Sequence, residues 1–358
     1  MWTCLSSVKL IRYLLVLKVN GPLVRMPGCV SAELSSTLGT LIAGRLPTRE
    51  AGPWRKALAP CQEDDGGASH PAPKGLDARP ESLWPIEAVL HVYPGKLAYG
   101  QGELILWELK LFGESADHGF FLEVLLPALE EAGYTSDPRW RSRNRLWGRF
   151  DIHAVYAARG AQWEPLVREG RLNLRYRPGP GQWAEGLNLK PVSDRTFNCL
   201  SWLSPFDLRE GRGEDGVPAE EAEGATPGEA PTLLRILEAL IFRVETLITG
   251  RRDVSWDIQG VLTPEECSQL QDDVEQARGV ALRFKRLVPA PKNWPGRWTG
   301  TQVFDFIPPS LTPYLQLASV LHIGRQTHFG CGTFALSERR RKYFSRLKTG
   351  RSNEMRRH

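Results

Sequence analysis

The chain has 358 residues, 41% of them hydrophobic and 24% charged, and a formal net charge of +5. This length and apolar content can supply cores for two domains and exclude a disordered or fibrous class. The charge is unevenly placed, because residues 337–358 carry nine Lys or Arg against two Glu and the remainder of the chain sums to −2. Basicity is thus the property of a tail, and such a tail attracts polyanions such as nucleic acid. Six cysteines, at 4, 29, 61, 199, 267 and 331, show neither C-x-x-C nor paired-His spacing. No zinc site, disulfide framework or cofactor is expected, and a reducing cytoplasm fits. The apolar run Leu10–Val19 is broken by Arg12 and Lys18. It is too short to span a bilayer and reads as a strand, so no membrane partner is expected.

After that strand, Cys29–Leu46 places Leu34, Leu38, Leu41 and Ile42 at helical spacing, and residues 47–82 read as a long surface connection rich in Pro, Gly and charge. Pro85–Val92 and Leu104–Phe112 alternate as strands, the second with Trp107, Leu109 and Leu111 inward and Glu108 and Lys110 outward. Phe120–Ala132 carries a helical stripe that Pro127 is placed to kink and Gly133 to end. Trp147–Ala158 reads as a strand with Phe150, Ile152, Ala154 and Tyr156 on one side. The order strand, helix, strand, strand, helix, strand is the split β-α-β arrangement called ferredoxin-like.

Residues 161–195 form a connecting segment with an extra strand at Arg171–Arg177. The same order then begins again. Thr196–Leu203 is a strand, residues 210–230 hold seven Asp or Glu and read as an acidic disordered insertion, and Thr232–Thr249 is an amphipathic helix. Thr263, Pro264 and Glu266 form a capping-box start for a helix ending near Gly279. Strands at Val280–Val288 and Arg297–Phe306, a helix capped by Thr312 and Pro313, and a strand at Thr333–Leu336 complete the second half. The fold class expected is α+β, with an N-terminal ferredoxin-like domain over residues 1–160, a second over 196–336 and a basic tail over 337–358.

Between the last helix and strand lies the segment His322-Ile323-Gly324-Arg325-Gln326-Thr327-His328-Phe329-Gly330-Cys331-Gly332. Gly324, Gly330 and Gly332 permit positive φ and close backbone approach, while Arg325, Gln326, Thr327 and His328 offer donors suited to phosphate, sugar or base edges. A second basic cluster, Arg139, Arg141, Arg143, Arg145 and Arg149, is interleaved with Trp140 and Trp147. Arginine beside tryptophan suits phosphate contact and base stacking.

The segment Trp298–Leu336, with Pro313-Tyr314-Leu315, His322-Ile323-Gly324-Arg325 and then Thr327, Phe329, Gly330, Cys331 and Gly332, resembles the C-terminal glycine-rich motif of the CRISPR-associated repeat-processing endoribonucleases. This is the Cas six branch of the RAMP superfamily. Leu109-Lys110-Leu111-Phe112-Gly113 and Leu203-Ser204-Pro205 are shorter echoes of the same pattern. The resemblance implies two tandem ferredoxin-like (RRM-like, RAMP) domains, a positively charged cleft, and metal-independent cleavage of precursor CRISPR RNA within each repeat. It also implies that Gly324, Arg325, Gln326, Thr327, His328, Gly330 and Gly332 contact RNA, joined by Arg141, Arg143 and Arg145 of the second cluster. The partners implied are a CRISPR repeat transcript and other Cas proteins, with no metal.

Metal-free RNA cleavage needs a base for the 2′-hydroxyl, charge at the phosphorane and an acid for the leaving 5′-oxygen. In many relatives the catalytic histidine lies on or just after the first helix, whereas the first histidine of this chain is His70. His328, His322 and His91 are the candidates that remain, with Arg45, Arg49, Arg55 and Lys56 as charge stabilisers. A non-catalytic RNA-binding subunit is the alternative expectation.

Overall fold

The computed structural model describes residues 2–26, 29–58, 86–91, 96–135, 146–186, 196–208, 230–249, 260–291 and 294–338. The acidic insertion, nearly all of the basic tail and Arg139–Arg145 lie outside them. In the first half the elements are β1 (Leu10–Val19), β2 (Leu23–Arg25), α1 (Val30–Arg45), α2 (Thr48–Leu58), β3 (Ile86–His91), β4 (Ala98–Gly100) and β5 (Leu104–Phe112). They continue with α3 (His118–Phe120), α4 (Leu126–Tyr134), β6 (Phe150–Arg159), β7 (Gln162–Arg168) and β8 (Arg171–Leu172).

β1 sits inside a six-stranded sheet of order β3-β5-β1-β6-β7-β8. Ile11, Tyr13, Leu15 and Leu17 point to one face, where Leu34, Leu38 and Ile42 of α1 and Phe121, Leu125 and Leu129 around α4 complete a core. The four strands β3, β5, β1 and β6 stand in the ferredoxin-like order second, third, first, fourth. β7 and β8 widen that sheet, so the extra strand expected at Arg171–Arg177 is instead a hairpin of Gln162–Arg168 with Arg171–Leu172. α2 forms where only irregular chain was expected, because Ala51 and Trp54 have apolar places in the core. The small ribbon of β2 and β4 was likewise not anticipated.

Three local expectations change for physical reasons. In β6 the register against β1 shifts between Val16 and Leu17, which oppose Ala154 and Ile152, leaving His153 as the extra residue of a bulge. The bulge reverses the alternation, so Phe150 and Ile152 face the core and then Val155 and Ala157 do, in place of Ala154 and Tyr156. The helix expected over Phe120–Ala132 runs unbroken from His118 to Tyr134 and carries a single π-helical turn over Phe121–Leu125, just before Pro127, whose missing N–H interrupts the regular ladder. Gly133 does not end α4. A Cβ there would come within 2.5 Å of Phe150 O, so glycine is what lets α4 lie on β6.

The second half comprises β9 (Cys199–Trp202), α5 (Leu233–Thr249), α6 (Pro264–Gly279), β10 (Leu282–Pro289), β11 (Trp298–Phe304), α7 (Thr312–Leu321) and β12 (Phe334–Ser337). Its sheet order, β10-β11-β9-β12, is again second, third, first, fourth. The chain therefore consists of two ferredoxin-like α+β units in tandem. The capping box forms at Thr263 and Glu266. Thr312 is the first residue of α7, preceded by Leu311 as N-cap, and does not cap the helix with its side chain.

The two units are joined through the face of the first sheet that its own helices leave uncovered. Leu10 and Phe112, opposite each other on that face, belong to the core of the second unit together with Trp2, Leu5, Val8, Leu200, Leu237, Leu317 and Phe334. Glu108 and Lys110, expected outward, share this face and are each 2% exposed. No helix among the described residues is long and apolar enough to cross a membrane.

Gly133→Ala should lower stability by about 1–3 kcal/mol, because the added methyl forces α4 off β6. Gly44→Ala, whose new Cβ meets nothing within 4 Å, should leave stability unchanged or raise it. Urea unfolding midpoints of the two variants check this contrast.

Candidate functional site

The loop expected between the last helix and strand is a rigid, left-handed structure. His322, Gly324, Gln326, Gly330 and Gly332 all have positive φ, at 58°, 88°, 57°, 79° and 81°. Two of the five are not glycine, and each such residue stores on the order of 1–3 kcal/mol of strain that neighbouring contacts must offset. Those contacts are backbone to backbone. Ile323 N donates to Gly332 O at 3.1 Å, Arg325 N to Asp207 O at 2.8 Å, and Gly332 N to Pro205 O at 2.9 Å. Phe329 N and Gly330 N donate to Gln326 O and Thr327 O. A Cβ on Gly332 would lie 1.9 Å from Ile323 O, and one on Gly324 2.3 Å from Asp207 O. These glycines admit other parts of the same chain, and the amides of 323, 325, 329, 330 and 332 are spent within the protein.

The side chains divide accordingly. Gly324, Arg325 and Gln326 are half-buried, and Gln326 Oε1 accepts from Gly296 N at 2.6 Å. Thr327, His328 and Phe329 are buried in a short 3-10 turn that lies against α1 and β3 of the first unit. The loop therefore sits at the joint of the two units, with Arg325 on its accessible side.

His322 is fully enclosed. Its Nδ1 lies 2.8 Å from Cys331 O, and since a carbonyl only accepts, Nδ1 carries the proton and Nε2 is bare. Nε2 has no hydrogen-bond partner, and burial, reinforced by the nearby Lys110 ammonium, holds the imidazole pKa well below its usual value. His91 contributes its backbone, opposite Leu106 in the β3–β5 ladder; its side chain lies outside what the structure describes.

The other sequence candidates are dispersed. Arg45 pairs with Glu131, Arg55 donates to Ala43 O at 3.4 Å, and Arg49 is exposed. Arg141, Arg143 and Arg145 lie outside the described residues, but their neighbours are placed: Trp147 is buried and Arg149 donates to Leu23 O at 3.4 Å. His118 receives or donates at Nδ1 with Tyr13 OH at 3.1 Å, and His153 is exposed on the β6 bulge.

One group went unrecognised in the sequence. On the covered face of the first sheet, Arg12 Nε lies 2.6 Å from Glu108 Oε1, and Glu108 Oε1 lies 3.9 Å from Lys110 Nζ. Lys110 Nζ donates to Val320 O at 2.6 Å, and Arg243 Nε donates to Leu321 O at 3.2 Å, so two cations meet the C-terminal turn of α7 immediately before the loop. The signal was present in β5: Leu106 and Phe112 flank Glu108 and Lys110 on the same face, which is too apolar for a solvated one.

Two ferredoxin-like units with a strained glycine-rich loop at their joint define the architecture. Solved structures of similar fold are known. The chain is similar to a partial Cas6-RT-Cas1–Cas2 complex and to the Cas6-RT-Cas1–Cas2 complex, each at TM-score 0.50 and 11% identity over 92% of this chain. It spans 46% and 29% of those two chains. A Cas6 product complex is covered along its full length at TM-score 0.43 and 14% identity, over 92% of this chain. No protein-family model and no curated protein matches. The chain shares its fold with part of those two Cas6-RT-Cas1–Cas2 complex chains.

Because His322 is held neutral when folded, the unfolded chain binds one more proton as pH falls below about 6.5. Stability should be fully present above that pH and decline below it. His322→Asn, which tolerates positive φ and keeps a donor for Cys331 O, should flatten this acid limb in denaturation curves recorded between pH 7 and 5.

Proposed function

We propose that this chain binds RNA at the joint of its two units and cleaves CRISPR precursor RNA within repeats, by a metal-independent reaction leaving a 2′,3′-cyclic phosphate. The observation that supports the reading is the loop at 322–332, whose backbone is fixed by internal hydrogen bonds while Arg325 stands on the accessible side. A guanidinium on a rigid loop meets a phosphate without first losing conformational freedom, and it can neutralise the phosphorane that forms on attack by the 2′-oxygen. Gln326 beside it suits a sugar or base edge. The loop glycines serve the shape of this surface, and Arg141, Arg143 and Arg145 would extend it along the RNA. Assembly with other Cas proteins belongs to the same reading.

One observation favours a second reading. His322 is completely enclosed and His328 is 9% exposed, so neither loop histidine reaches solvent as a general base would. In that reading the chain is a non-catalytic RNA-binding subunit that holds processed RNA in an effector complex. The two are separated by incubating the purified chain with repeat RNA in chelator: a single cut ending in a cyclic phosphate supports the nuclease, and binding without cutting supports the holder. Arg325→Ala should weaken binding and reduce the slope of log affinity against log salt by about one. Absence of any salt-sensitive RNA binding by the wild-type chain would refute both.

A further inference from the structure

We propose that Lys110 is the positioning residue of the glycine loop: an ammonium on the first unit's sheet that fixes the end of α7, and hence the loop leaving it, relative to the first unit. Its functional consequence rests on the RNA reading of the loop; its geometry does not.

The last carbonyls of a helix have no partner within the helix and carry partial negative charge. In α7 two of them, Val320 O and Leu321 O, are met by Lys110 Nζ at 2.6 Å and Arg243 Nε at 3.2 Å. Arg243 comes from α5 of the same unit as α7, and its guanidinium lies over the Phe112 ring at 5.2 Å. Lys110 comes from β5, and its bond crosses from one unit to the other. Val320 is two residues before His322, the first left-handed residue, and five before Arg325. Beyond that point the loop is tied to its own unit through Asp207 O and Pro205 O. The loop thus meets the first unit at two places, through the Lys110 bond at the end of α7 on one side of Arg325 and through the packing of Thr327–Phe329 against α1 and β3 on the other.

An amine with 2% of its surface exposed is disfavoured unless something specific holds it. A leucine or methionine would fill the same space without that penalty, so what the ammonium adds is a directed bond at a defined place. The charged and titratable groups around it are Arg12 from β1, Glu108 from β5, Arg243 from α5 and His322 from the loop. Burial pushes the Lys110 pKa down to about 8, with Glu108 opposing that shift and Arg12 adding to it. Deprotonation removes the charge that faces the helix end, so the loop's environment should respond to pH in this range.

The test uses the full chain labelled with [15N]glycine, reading the amide resonances of Gly324, Gly330 and Gly332 from pH 6.5 to 9.5, with Gly133 as a distant control. In the wild type the three loop signals should shift with a midpoint near 8 while Gly133 does not. Lys110→Met should displace the loop signals already at neutral pH and abolish that titration. Glu108→Gln, which retains the lysine, should move the midpoint downward, and it keeps the idea testable if Lys110→Met folds poorly. Repeat-RNA affinity should fall by about tenfold in Lys110→Met, comparable to losing one hydrogen bond to a charged group. Arg325→Ala should lose affinity without moving the signals of Gly330 and Gly332. Loop signals that overlay in wild type and Lys110→Met would overturn the assignment. Failure of the wild type to bind RNA would remove the functional consequence while the glycine signals still decide the positioning.

Discussion

Burying an ammonium group costs several kcal/mol unless charge and hydrogen bonding offset it, and Lys110 meets that requirement only because two different units supply its surroundings. Glu108, anchored by Arg12, comes from the first sheet, and Val320 O comes from the end of a helix in the second unit. Separate the units and the lysine regains water while the helix loses a cation at its negative end. Neither unit is complete as a charge distribution without the other. This makes the joint directional: apolar packing of Leu10 and Phe112 would tolerate sliding, whereas a single short bond to one carbonyl does not.

The loop that follows is held by a different kind of constraint. Five left-handed residues in eleven, two of them glycines packed against backbone oxygens, leave the chain little room for adjustment. Such a segment is stiff because its atoms have nowhere else to go, and stiffness is what a surface needs in order to present one guanidinium at a fixed point. Five of the amides that a glycine-rich sequence advertises for a ligand, those of 323, 325, 329, 330 and 332, are instead the means by which this shape is secured.

How much of this was legible depends on where the information resides. The order of elements in both units could be read because each buries one face, leaving a period of two or 3.6 in the sequence. The capping box at Thr263 and Glu266 was readable because it is local in sequence. The bulge at His153 was not, since an extra residue in one strand is defined only by its partner. Gly133 looked like a helix stop because its real reason, the carbonyl of Phe150, is distant in sequence. Glu108 and Lys110 looked solvated for the same reason: alternation shows that two faces differ but not what covers each. At the loop the glycines were visible, while the positive φ of His322 and Gln326 was not, because neither residue type announces it.

The sharing of Leu10 and Phe112 also bears on how the molecule comes apart. Linked ferredoxin-like units with a small polar interface would melt independently, each at its own temperature. Here the first sheet contributes side chains to the second core, and Trp2, Cys4, Leu5 and Val8 ahead of β1 lie in that core as well. Opening either unit exposes apolar surface belonging to both. The two topological halves are therefore expected to behave as a single cooperative body on heating, with a calorimetric enthalpy that belongs to the pair.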